Sequence, residues 1–513
     1  MHWISRAGWV GHLVAGVAGA LTPLALAPFN LWPLGLLSIA VFYLGLRGLS
    51  GRHGFWRGWW YGFGAFMAGT SWVFVSIHEY GSAPVPLAAL LTLLFVAGLA
   101  LFFAVLGSLW VKWFYRPRAP LQNALAFAAL WVAIEALRGW LLTGFPWLYM
   151  GYAQQAGPLA GLAPLGGVWL LSFAMVLTAV LLVNLPGWLS LSHKPPMVVA
   201  LVLLSGLWSS GAWLKGHHWT SPSGTALRVV AIQGNVEQHL KWDPEKLNAQ
   251  LALYRELTQN APAADIYVWP ETAIPVLKEY AEGYLSQMSR WSREHNAALI
   301  TGLPLRQSDD QGRMRYYNGV QAFGRGDGLY LKQKLVPFGE YVPLQDLLRG
   351  IISFFNLPMS DFVPGPEGQA PLTAQGYRVA PYICYEVVYP NFAADLATQS
   401  DLLLTISNDA WFGTSIGPVQ HLQMAQMRAL ESGRWMIRAT NTGISALIDP
   451  QGTVRNVAPQ FERTHLQCEV IPMQGSTPYL EWRSWPLAIL CALLLCVALL
   501  SGRRTDRRIF TDD

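Results

Sequence analysis

Three short segments in the second half of the chain carry side chains able to make and break an acyl bond. "YICYEVVYP" (382–390) holds Cys384 between aromatics, with Glu386 two places on. "VWPETAIP" (268–275) holds Glu271, and "YLKQKLVPFGEYVP" (330–343) holds Lys332, Lys334 and Glu340. A thiolate attacks a carbonyl carbon, while a carboxylate takes the thiol proton and returns it to the leaving group. A lysine ammonium stabilises the tetrahedral oxyanion and lowers the thiol pKa. No His/Cys cluster has zinc spacing, so neither a metal nor a cofactor is expected. Each residue alone has an ordinary structural reading: a cysteine after a buried strand as inert core, Glu271 as a helix cap, Lys332 as an edge-strand charge. The combination is harder to dismiss.

The elements around them are apolar, β-rich runs flanked by turn residues, which read as buried strands. They cover 227–233, 265–269, 297–303, 317–323, 377–383, 401–407, 434–440 and 444–449. Helices are expected over about 244–259, 279–295 and 418–432, the first opened by Asp243-Pro244. Strands alternating with helices predict an α/β domain. Glu271, Cys384 and "SNDAWFG" (407–413) follow strand ends, where open α/β sheets build their sites. "TSPSGT" (220–225) reads as a linker, and no internal repeat is visible.

The rest of the chain is different. Overall it is 53% hydrophobic and 13% charged, with mean hydropathy +0.29, against about 25% charged residues in soluble proteins. The long apolar runs fall in 1–214 and near the C-terminus. Eight membrane spans are expected, over about 8–27, 30–46, 57–77, 86–111, 122–141, 165–185, 197–214 and 484–501. Arg6, Arg47, Arg52, Arg57, Lys112, Arg116, Arg118, Lys194, Arg503, Arg504, Arg507 and Arg508 all fall in loops on one side of such a topology. That side is cytoplasmic by the positive-inside rule, which puts 220–480 in a periplasm-like space. The boundaries expected are 1–219 for a seven-helix membrane domain, 220–480 for an exported catalytic domain, and 481–513 for an eighth helix with a basic tail. The net charge of +5 reflects these anchors, so no nucleic-acid partner is inferred. Of four cysteines, Cys384 and Cys468 lie in the exported part, where a disulfide is tolerated and a free thiol is conspicuous.

"PET", "YLKQKLVPFGEYVP" and "CYEVVYP" together resemble the Glu-Lys-Cys triad of the nitrilase (carbon–nitrogen hydrolase) superfamily. With the eight-span frame and "ALRGWLLTGFPWLYMGY" (136–152), the whole chain resembles the apolipoprotein N-acyltransferase family. The resemblance implies an αββα sandwich and selects Glu271, Lys332 and Cys384 as catalytic, with Lys332 preferred over Lys334. It implies ping-pong transfer of an acyl chain from a membrane phospholipid, through a Cys384 thioester, to the α-amine of the diacylglyceryl-cysteine of a lipoprotein. It adds Glu340 as a partner of Lys332, Tyr385 and Glu386 beside the nucleophile with the 385 N–H as oxyanion donor, and Asn318, Trp411 and Trp242 around the pocket. The expected setting is the bacterial inner membrane, with the catalytic domain facing the periplasm and the protein a monomer.

Two other functions use the same residues differently. A membrane-bound amidase or nitrilase would use the triad with water as acceptor, but has no need of eight spans. A transporter with an exported binding domain would place ionisable groups in its spans, and nearly all these spans lack them. Glu135 and Arg138, at a span end, read as an ion pair or a head-group contact. The segment 340–365, apolar at "GIISFFNLPM", reads either as a loop tucked against the domain or as a lid dipping into the bilayer, with Arg349 meeting a phosphate.

Overall fold

Strands that are apolar on both faces must be covered on both faces, and the second half of the chain does this with two stacked sheets. The computed structural model describes residues 8–190, 194–308, 311–337, 339–341 and 362–509. It divides into two units: one of described residues up to Phe74 with Val85–His217 and the chain from Trp482, the other of Val75–Pro84 and His218–Glu481. The segment Val75–Pro84, expected within the membrane part, therefore belongs to the second unit. Arg349 and the centre of the expected lid lie outside the described residues.

In the second unit the strands are β1 Thr220–Pro222, β2 Leu227–Gln233, β3 Ile266–Val268, β4 Ala298–Ser308, β5 Met314–Gly324, β6 Gly326–Asp327 and β7 Leu329–Leu331. They continue as β8 Leu372–Ala374, β9 Tyr377–Ile383, β10 Leu402–Ser407, β11 Met436–Thr440, β12 Ala446–Ile448, β13 Val454–Val457, β14 Thr464–Val470 and β15 Met473–Gly475. One sheet runs β14-β2-β3-β4-β5-β7, the other β13-β12-β11-β10-β9-β8-β6. Parallel centres, β2-β3-β4 and β9-β10-β11, lie at the middle of each. Val230 and Ile232 of β2 join a core with Tyr254, Leu285 and Met288 of the covering helices Leu247–Gln259 and Glu282–Glu294. The alternate residue Gln233 faces the second sheet, where its Oε1 accepts from Ser445 Oγ at 2.7 Å. Helices Pro390–Thr398 and Gly417–Ser432 accompany the second sheet, Tyr382 of β9 donating to Ala393 O. The layers are helix, sheet, sheet, helix.

Each half repeats one device. Arg228 donates from its main chain and guanidinium to Asp265, which precedes β3; Arg378 does the same to Asp401, which precedes β10. In both cases the charged fork meets Oδ1 through Nη2 at 3.0 Å and Oδ2 through Nε at 3.3 or 3.4 Å, and it fixes adjacent parallel strands in equivalent register. This structural repeat leaves too little identity to be seen in the sequence. The expected linker at 220–225 is partly a strand: β1 pairs antiparallel with β15 and ties the entry of the unit to its exit.

Each expected span overlaps a helix of the first unit, the third (57–77) running on past it into the second, but among the described residues four helices are long and apolar enough to cross a membrane: Val85–Phe114, Pro120–Arg138, Pro158–Pro186 and Pro196–Leu214. Trp9–Ala25, Trp32–Leu46 and Trp485–Ser501 are apolar and shorter. Helix Gly51–Thr70 carries Arg52, His53 and Arg57, and its Gly54, Gly58 and Gly62 lie against the backbone of Val85–Leu109. Spacing small residues four apart lets two helices approach closely. Glu135 and Arg138 are both buried and brace the following loop: Glu135 accepts from Trp131 and from the N–H of Met150, and Arg138 donates to the carbonyls of Phe145 and Trp147.

Candidate active site

Register brings two motifs together first. Gly319 of β5 pairs with Leu331 of β7, so Asn318 and Lys332 are neighbours, and the Lys332 N–H donates to the Asn318 carbonyl at 2.8 Å. The Lys332 side chain is 1% exposed. Its Nζ donates to Glu340 Oε1 at 2.9 Å and to Glu271 Oε1 at 3.3 Å. Asn318 Nδ2 spans the same pair, at 2.8 Å from Glu271 Oε1 and 2.9 Å from Glu340 Oε1, one amide hydrogen to each. Burial works against the Lys332 charge, but the Glu340 and Glu271 carboxylates outweigh it and hold its pKa above the ordinary lysine value. The ammonium is a fixed positive charge. Glu340 is itself held by the N–H of Val336 at 2.9 Å, so the turn carrying it is closed locally.

Cys384 ends β9 and opens a short 3₁₀ turn, Cys384–Val388. Its φ of 52° is left-handed, a conformation that costs a non-glycine residue about 1–2 kcal/mol and turns the side chain out of the strand line. The sulfur is half-buried, 3.4 Å from Ser407 Oγ. Glu271 Oε2 accepts from the N–H of the next residue, Asn408, at 3.0 Å. Burial, then the Glu271 carboxylate, push the Cys384 thiol well above its ordinary range, and Lys332 pulls it down without offsetting them. At neutral pH the resting group is a thiol, so attack on a carbonyl requires a base to remove the proton during the step.

Glu386 is completely buried and joins two motifs. Its Oε1 accepts from Tyr330 OH at 3.0 Å and from the N–H groups of Gln333 (2.6 Å) and Lys334 (3.2 Å); its Oε2 accepts from the N–H of Ile383 at 2.8 Å. Burial raises its pKa, the main-chain donors oppose this, and it comes to about 7. Expected beside the nucleophile, Glu386 instead clamps the main chain just after Lys332 to the strand that delivers Cys384. Tyr385 follows Cys384, its ring edge-on to Tyr389 at 5.3 Å.

Other expected residues stand apart from these contacts. Trp411 lies in the turn Asp409–Phe412, ring to ring with Tyr80 at 5.5 Å, its carbonyl accepting from Ser76 Oγ. Trp242 ends the short helix Gln238–Lys241 and is half-buried. Its neighbour Lys241, which no motif flags, is buried and donates to the Glu271 carbonyl at 3.0 Å. Burial brings its pKa down to about 8. Lys334 points elsewhere, its Nζ 6.0 Å from the Tyr389 ring centre and 5.7 Å from that of Phe392. Cys468 is a free, buried thiol on β14.

The turn carrying Glu271 depends on Gly302 of β4. A Cβ there would sit 2.6 Å from Thr272 N, 2.8 Å from Glu271 Cα and 2.9 Å from Pro270 O, all main-chain atoms unable to yield without moving the turn. Gly302→Ala will therefore displace Glu271 and reduce turnover roughly tenfold or more, while Cys384 keeps its reactivity toward small alkylating reagents. Steady-state rates beside an alkylation rate check this; wild-type turnover would show that the turn relaxes freely.

The family profile described as "Apolipoprotein N-acyltransferase N-terminal domain" matches residues 18–181, and "Carbon-nitrogen hydrolase" matches 228–475. The apolipoprotein N-acyltransferase of Azotobacter vinelandii is 64% identical over 509 residues, covering 99% of this chain and 98% of that protein. That of Pseudomonas aeruginosa is 63% identical, covering 99% and 100%, and that of Coxiella burnetii 40%, covering 95% and 99%. Among solved structures, Saccharomyces cerevisiae Nit3, a member of branch 10 of the nitrilase superfamily, aligns with 52% of this chain and 98% of its own at 16% identity and a TM-score of 0.37. Nearly full-length identity of this order shows that the chain belongs to the apolipoprotein N-acyltransferase family.

Proposed function

We propose that the protein transfers an acyl chain from a membrane phospholipid to the α-amine of the N-terminal diacylglyceryl-cysteine of lipoproteins, through a thioester on Cys384. The observation that carries the reading is the buried Lys332, gripped by Glu271 and Glu340 in the unit that also presents Cys384 on a left-handed turn. Glu271 takes the thiol proton as sulfur attacks the ester carbonyl. The oxyanion is stabilised by the Lys332 ammonium and the N–H of Tyr385. The C–O bond breaks, and Glu271 returns the proton to the departing lysophospholipid oxygen. The acceptor amine then attacks the thioester, its proton passes to Glu271 and on to the leaving thiolate, and an amide remains. Asn318 and Glu340 orient Lys332, Trp242 and Trp411 line the approach of the lipids, and Arg349, outside the described residues, is assigned to a lipid phosphate.

Both substrates live in a bilayer, which suits the apolar helices of the first unit. The reading includes eight spans, residues 1–219 and 481–513 in the bacterial inner membrane, and 220–480 facing the periplasm. The protein acts as a monomer.

Intact-mass analysis of the full-length protein incubated with phospholipid alone tests it. An increment of one acyl chain is expected on Cys384, absent in Cys384→Ala and discharged onto a diacylglyceryl-cysteinyl peptide. Free fatty acid released without peptide acylation would favour the hydrolase reading, and an adduct that survives Cys384→Ala would overturn the assignment.

A further inference from the structure

A second cluster of buried polar groups reaches Cys384 from the neighbouring strands of its own sheet and the helix beside them. Ser407 ends β10, Asp409 lies in the turn after it, His421 is on helix Gly417–Ser432, and Arg438 is on β11. All four are at most 1% exposed. Ser407 Oγ lies 2.5 Å from Asp409 Oδ1 and 3.4 Å from Cys384 Sγ. Arg438 Nη2 donates to Asp409 Oδ2 at 2.5 Å, and His421 Nε2 lies 3.2 Å from the Cys384 carbonyl. That carbonyl only accepts, so Nε2 carries the His421 proton. Burial, then Arg438, lower the His421 pKa, and its Nδ1 lies 3.1 Å from both Arg438 Nη2 and Asp409 Oδ1.

The protons can be counted. Burial opposes charge on Asp409, but the Arg438 guanidinium outweighs it and holds the carboxyl well below the usual range, so Asp409 only accepts. A serine has one proton. The short bond to an ionised carboxylate is the stronger claim on it. Ser407 then has only lone pairs to offer the sulfur, and the thiol must be the donor between them.

We propose that Ser407, its own proton held by Asp409, accepts the S–H of resting Cys384, and that Asp409, His421 and Arg438 position this thiol-holding network. It favours the protonated sulfur, and His421 steadies the left-handed Cys384 main chain through its carbonyl. The nucleophile stays a poor target for alkylating and oxidising agents until a bound acyl carbonyl lets Glu271 take the proton. The charged groups acting on this thiol are Glu271, Lys332, Lys241 and Asp409; the Glu271 and Asp409 carboxylates already oppose S⁻, and Ser407 as an acceptor adds a neutral partner that does the same. The proposal rests on the reading of Cys384 as nucleophile.

The test is the pH profile of Cys384 alkylation by iodoacetamide in the full-length protein, with Cys384→Ala as blank. Ser407→Ala removes an acceptor of the thiol proton, so the profile shifts to lower pH and the rate on its rising limb increases roughly three- to tenfold. Were Ser407 a donor to the thiolate, the same change would slow alkylation. A slower or unchanged rate overturns the proposal. So does an increase that persists undiminished on the high-pH plateau, which reports access rather than ionisation. Ser407→Thr, which keeps the hydroxyl, restores the wild-type midpoint. No lipid enters this measurement, so a missing acyl adduct would sink the acyltransferase reading and leave the thiol network standing.

Discussion

Lys332→Met lowers acyl transfer by about a thousandfold, whereas Lys334→Met changes it by no more than about threefold. The two lysines are two residues apart in one motif, and the structure separates them completely. Lys332 Nζ lies between two carboxylates, with Glu271 at 3.3 Å and Glu340 at 2.8 Å. Lys334 Nζ lies over the rings of Tyr389 and Phe392. Methionine fills the Lys332 slot without its charge, so the packing survives while two carboxylates face each other with Asn318 Nδ2 as the remaining bridge. The variant loses twice: the oxyanion loses its cation, and Glu271 loses a partner that fixes its direction. Single-turnover thioester formation and its discharge to peptide, measured separately, should both fall. Equal losses in the two variants would mean that the ammonium needed for catalysis is not the buried one.

The parts of this site that the sequence made legible are those whose chemistry sits on a local pattern. β2 and β9 are apolar runs bounded by turns, and Cys384 and Glu271 stand within a few residues of strand ends. Lys332 and Glu340 share one Pro/Gly-rich motif. Lys241, Asp409, His421 and Arg438 were not legible, because their roles arise from burial and from contacts spanning up to 37 residues, between Cys384 and His421. A lysine next to a tryptophan, or a histidine in mid-helix, carries no spacing signal of its own. "SNDAWFG" marks the right turn, within which Asn408 and Ser407 contact Glu271 and Cys384 and Trp411 meets Tyr80. Glu386 stands out in the sequence by its spacing from Cys384, and its contacts with Tyr330, Gln333 and Lys334, more than fifty residues away, carry no local signal. The apolar helices were readable throughout, but among the described residues hydropathy and length are ample in four of them.

Glu386→Gln should cost roughly a hundredfold in turnover and change the pH dependence of stability. The carboxylate collects four donors on two oxygens: Tyr330, Gln333 and Lys334 on one, Ile383 on the other. A glutamine can leave its oxygen with the three, but its NH₂ then faces the Ile383 N–H, donor against donor. A protonated Glu386 avoids this, because its second oxygen keeps a lone pair for Ile383. The amide substitution therefore leaves a buried N–H unpaired, at about 1–3 kcal/mol, on the residue directly before Cys384. Both ends of the clamp loosen, the strand that presents the thiol and the main chain that leaves Lys332. Because burial raises the Glu386 pKa from 4.5 to about 7, the folded protein binds a proton that the unfolded chain has released between those values. This contribution to stability is fully present below about pH 4.5 and is lost as pH rises through about 7. Subtracting the unfolding free energy of Glu386→Gln from that of wild type across this range, in one detergent, should leave a difference that narrows with rising pH. A difference flat from pH 4.5 to 7, or a variant with wild-type turnover, would show that the buried carboxylate does not hold the two motifs together.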